Sequence, residues 1–63
     1  MNSRINLCID EYVRLKRDRE ILRKHWFEGM SFKELSNEYN LTVEAMKRII
    51  YGIGDAILLR ASK

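Results

Sequence analysis

Apolar residues along this 63-residue chain recur at three- and four-residue spacing in successive stretches, the period of helices that bury one face. Ile5, Cys8, Ile9, Tyr12 and Val13 form the first stripe and predict a helix over about 3–15. If that helix ran on, Lys16 and Arg19 would fall inside the stripe, so a break is expected near Lys16 to Asp18; one helix through residue 28 is the alternative. Asp18 is the candidate cap of a second helix over about 18–28, which carries Leu22, Trp26 and Phe27 inward and stops at Gly29. Leu35 and Tyr39 share a face one turn apart and predict a helix over about 32–39. Met46, Ile49, Ile50 and Ile53 predict another over about 43–52, followed by a C-terminal segment, 53–63.

The ends of the last two helices carry the sharpest local signals. Ser31 can cap through a hydroxyl bond to a backbone N–H, and Glu34 three residues on completes a capping box. Asn40 tolerates the left-handed backbone that stops a helix, and Thr42 can cap the next. Two capped helices around so short a turn are the geometry of a helix-turn-helix. Proline is absent and the three glycines, Gly29, Gly52 and Gly54, lie in the second half. The expected fold is all-α, a single small domain of about four helices containing that motif.

Composition narrows the function. A net charge of +3 and an isoelectric point near 9.3 permit nucleic-acid binding without requiring it. One cysteine forms no internal disulfide, and Cys8 reads as a small apolar side chain. With no apolar run of signal-peptide or membrane-span length, the expected location is the cytoplasm. His25 stands without a second histidine or a nearby cysteine, so no metal site is expected. No nucleophile and base pair suggests catalysis, and no glycine-rich loop suggests a phosphate cofactor. The expected protein is not an enzyme and has no cofactor.

Arg17-Asp18-Arg19-Glu20-Ile21-Leu22, then Phe27, Gly29, Met30, Ser31 and Glu34-Leu35-Ser36, resembles the pattern RERE-V-L … G-x-S-x-x-E-I-A of region four of bacterial sigma factors and of LuxR-type response regulators. The likeness runs from about Leu15 to Ile53, through Asn40-Leu41-Thr42 and the aliphatic positions Met46 and Ile49, and small regulators of phages and mobile elements look similar. Departures are the lack of a proline before the first motif helix, Ser36 in place of alanine, and Gly52 with Gly54, which argue against a long extension of the last helix.

The resemblance implies double-stranded DNA as partner, with the second motif helix in the major groove. The residues support this independently. Glu44, Lys47, Arg48 and Tyr51 project opposite the isoleucines. Arg48 can pair with guanine, Lys47 can reach a base or phosphate, Glu44 can accept from cytosine N4, and Tyr51 can reach phosphate. Thr42 and Val43, at the helix start, can touch the backbone or a thymine methyl. A solvated surface helix would present the same polar face. The basic residues Arg14, Lys16, Arg17, Arg19, Arg23 and Lys24 are interleaved with acids, as a solvated face or as phosphate contacts.

Two kinds of partner protein remain open. Ile5, Ile9, Tyr12 and Val13, with Ile57, Leu58 and Leu59, form more apolar surface than a small core needs, which suggests a homodimer; packing of both segments on their own motif is the alternative. An adaptor that binds RNA polymerase or another regulator, rather than DNA, is the competing function.

Overall fold

The computed structural model describes residues 2–62. Four helical stretches follow one another with no strand among the described residues: α1 (Asn2–Tyr12), α2 (Lys16–Glu28), α3 (Phe32–Tyr39), and a longer path made of α4 (Val43–Arg48), a π-helical turn (Ile49–Ile53) and α5 (Gly54–Ala61). The fold is all-α, with the helix-turn-helix at α3 and α4.

The break between the first two helices falls earlier than expected, at Val13 to Leu15, and Asp18 does not make it. Leu15 is the extended residue before α2 and supplies no side-chain cap, while Asp18 sits in the first turn, only 4% exposed and bonded by Arg17 Nε at 3.2 Å. The corner is satisfied from the far side. Arg19 Nη1 donates to the carbonyls of Val13 at 2.7 Å and Arg14 at 3.0 Å, which have no helical partner beyond the end of α1. Arg23 then ties the two helices together, donating to Asn6 Oδ1 at 2.9 Å and Asp10 Oδ1 at 2.7 Å. The buried side of α2 is Asp18, Ile21 and Leu22, so Phe27 lies off that face and is exposed. Gly29 closes the helix at φ +73°, a left-handed conformation that costs a residue with a Cβ.

The motif is built as its capping residues require. Ser31 Oγ accepts from the Glu34 N–H at 3.1 Å, and Glu34 Oε1 accepts from the Ser31 N–H at 3.0 Å. Asn40 turns left-handed at φ +59°, and Thr42 Oγ1 accepts from the Ala45 N–H at 3.1 Å. Ser36, where the family pattern has alanine, is buried between helices, and its hydroxyl donates to the Lys33 carbonyl of its own helix at 2.9 Å. Among the described residues no buried side-chain polar atom is left without a partner.

The helix that begins at Val43 does not end at the glycines. Backbone angles stay right-handed through Arg48, Ile49, Ile53 and Gly54, and the Gly54 N–H donates to the Ile49 carbonyl five residues back. Met46, Ile50 and Gly54 are all buried at four-residue steps, each of which drifts about 40° around an α-helix. The wider turn absorbs that drift and keeps Ile57 and Ala61 toward the core. Gly54 is there for proximity: a Cβ on it would meet the Trp26 ring at 3.0 Å and Leu22 Cδ2 at 3.2 Å.

α5 in turn packs along α1. Ile5, Ile9 and Val13 join Ile57 and Ala61 in the same buried cluster as Ile21, Leu22, Leu35, Met46, Ile49 and Ile50. Most of the apolar surface expected to be bare is therefore covered by its own chain. Tyr12, Leu58 and Leu59 remain exposed, with the Arg60 guanidinium 4.1 Å above the Tyr12 ring.

Candidate nucleic-acid interface

The exposed side of α4 and of the turn after it holds all six residues singled out by the sequence. Thr42, Glu44, Lys47 and Arg48 are exposed, Val43 is at the edge of exposure, and Tyr51 is 57% exposed. Beneath them Met46, Ile49 and Ile50 are buried, so the helix is pinned by one face and presents the other. Thr42 already spends its hydroxyl as an acceptor for the cap, though the O–H can still donate outward.

The cations divide into two groups. Among the described residues the ion pairs are Arg17 with Asp18, Arg23 with Asp10, and Lys24 with Glu38. Lys24 also lies 5.1 Å from the Tyr39 ring centroid, and Tyr39 donates to Glu20 Oε1 at 3.0 Å, so this set fastens α2 to α3. The Glu38 bond holds the Lys24 ammonium above its ordinary range, while burial raises the Tyr39 phenol. Arg19 is occupied by carbonyls. Lys47 and Arg48, like Arg4, Arg14, Lys16 and Lys33, enter no ion pair or side-chain hydrogen bond among the described residues. Their charge is available to a ligand.

One arrangement escapes the sequence. His25 stacks on Phe32 with centroids 5.0 Å apart and planes at 24°, and Phe32 meets Tyr51 in a T-shape at 5.6 Å and 79°. The His25 Nδ1–H donates to the Met30 carbonyl at 2.8 Å, which fixes the ring at the edge of the core. Residues 25, 32 and 51 share no periodicity, and only the packed helices bring them together. Among the described residues no three His, Cys, Asp or Glu side chains gather as a metal would require, and no helix is long and apolar enough to cross a membrane.

The model of one family, sigma-70, region 4, matches residues 16–51, more than half of the chain. No curated protein and no solved structure matches. The matched stretch begins at the first residue of α2 and ends at Tyr51, taking in both motif helices and leaving α1 and α5 outside it. By that match, and by the capped motif it falls on, the chain belongs to the sigma-70 region 4 family of helix-turn-helix DNA-binding regions.

Proposed function

We propose that this protein is a sequence-specific DNA-binding transcriptional regulator whose α4 enters the major groove. The observation that carries the reading is the pair Lys47 and Arg48, exposed and uncompensated on a helix held rigidly by its opposite face. Arg48 reads guanine in a paired contact, Lys47 reaches a base or phosphate, and Glu44 accepts from cytosine N4. Tyr51 meets the phosphate backbone, and Thr42 and Val43 approach the backbone or a thymine methyl at the start of the helix. The proposed role is non-catalytic, and its proposed place is the cytoplasm.

One recognition helix gives limited specificity, and a homodimer is part of the proposal. Leu58 and Leu59 on α5, with Tyr12 beside them and Leu7 on α1, are apolar surface left for pairing. Two copies would present their helices about 34–36 Å apart to an inverted repeat. The same leucines favour the second reading, an adaptor that docks on RNA polymerase or another regulator.

Replacing Arg48 or Lys47 by Ala separates the readings. With the fold intact, Arg48→Ala weakens binding to a selected duplex by about 1–3 kcal/mol and relaxes the preference at one base pair. Lys47→Ala lowers affinity more evenly across sequences. Unchanged affinity in both variants leaves the adaptor.

A further inference from the structure

Tyr51 stands within the π-helical turn, past the last residue for which regular α-helical spacing relates it to Lys47 and Arg48. Its direction therefore depends on what it touches. Phe32, the first residue of α3, meets the Tyr51 ring in a T-shape at 5.6 Å, an arrangement in which the positive edge of one ring faces the electron-rich face of the other. Phe32 is itself held from behind by His25 at 5.0 Å, and His25 by its bond to the Met30 carbonyl. The three rings come from α2, α3 and the turn after α4. They run from a fixed backbone carbonyl to an exposed phenol.

We infer that Phe32 is a positioning residue for DNA binding. It holds the Tyr51 ring so that the phenol meets the phosphate backbone beside the groove that α4 enters, and it acts through that ring alone. This rests on the DNA-binding reading above. A Tyr51 already confined to one orientation loses little freedom on binding, whereas without the Phe32 contact the ring must be ordered by the DNA.

A double-mutant cycle on a fluorescein-labelled duplex, selected from a random-sequence pool, tests this with Phe32→Leu, Tyr51→Ala and the double variant. Phe32→Leu is expected to weaken affinity roughly two- to tenfold. The double variant should bind no more weakly than Tyr51→Ala, and neither single change should alter the salt dependence, because a neutral phenol displaces no counterion from phosphate. Phe32→Tyr, which keeps the ring, should restore affinity. If Phe32→Leu fails to fold, Phe32→Met keeps the bulk without a ring and reads the same coupling. Unchanged affinity in Phe32→Leu, or losses that add in the double variant, overturns the inference. Arg48→Ala and Lys47→Ala serve as the reference: if both leave affinity unchanged, the DNA-binding reading itself has failed.

Discussion

The motif and its flanks are held together by different means. Within the motif both ends of α3 and the start of α4 each have their own device: a capping box at Ser31 and Glu34, a left-handed Asn40, and a Thr42 cap. In the flanks α2 begins at an uncapped Leu15, and α5 begins within a continuing helix with no cap at all. What defines α1 and α5 is burial of Ile5, Ile9, Val13, Ile57 and Ala61 against the rest of the core. The motif can thus be read from neighbours in sequence, whereas the flanks depend on contacts between the two ends of the chain. Such long-range contacts lie outside the stretch the family match covers, and they complete the core behind α4.

The largest expected effect breaks the flank. Ile57 is fully buried, and Ile57→Ala should cost about 2–5 kcal/mol, a large part of the stability of so small a fold. Thermal unfolding followed by circular dichroism reads this directly. A melting temperature unmoved by the change would mean that α5 does not pack as described.

The two late glycines sharpen the contrast within one helical path. Gly54→Ala puts a Cβ 3.0 Å from the Trp26 ring, and overpacking of about 1–3 kcal/mol should outweigh about 1 kcal/mol of gained helix propensity. Gly52→Ala meets nothing within 4 Å and should stabilise by roughly 0.5–1 kcal/mol. Opposite signs in denaturant unfolding support the close approach at Gly54; equal effects would remove it.

The difference between the regions explains what the sequence revealed. Ser31, Glu34, Asn40 and Thr42 act on bonds within four residues, so both ends of α3, the start of α4 and the buried Met46, Ile49 and Ile50 were legible. Asp18 misled because an acid in a first turn looks like a cap, whereas the chain reverses at Leu15 with Arg19 serving the exposed carbonyls. Gly52 and Gly54 read as a stop because glycine breaks helices in isolation. The Trp26 ring that requires a glycine at 54 lies on another helix, and no local pattern announces it. The exposed polar residues of α4 were legible for the same reason as its core, since both follow from one helical period. The rings of His25 and Phe32 behind Tyr51 follow from none.

Small effects also belong to the motif caps. Ser31→Ala should cost about 1 kcal/mol, roughly 4–8 °C in melting temperature for a fold of this size. The bond from the Ser31 N–H holds the Glu34 carboxylate below its ordinary range. Because that value is lower folded than unfolded, its stabilisation is present at neutral pH and is lost as pH falls through the depressed value. Glu34→Gln should flatten this acid limb of the melting profile. An unchanged acid limb would detach Glu34 from the box.

Amide NMR shifts on titration with a selected duplex address the central claim most directly, since they place the contact on one region or the other. The largest changes should fall on residues 42–51, with the α1 and α5 core amides at 5, 9 and 57 little moved, and should diminish in Arg48→Ala. Changes centred on Tyr12, Leu58 and Leu59 with α4 silent would contradict DNA recognition by this helix.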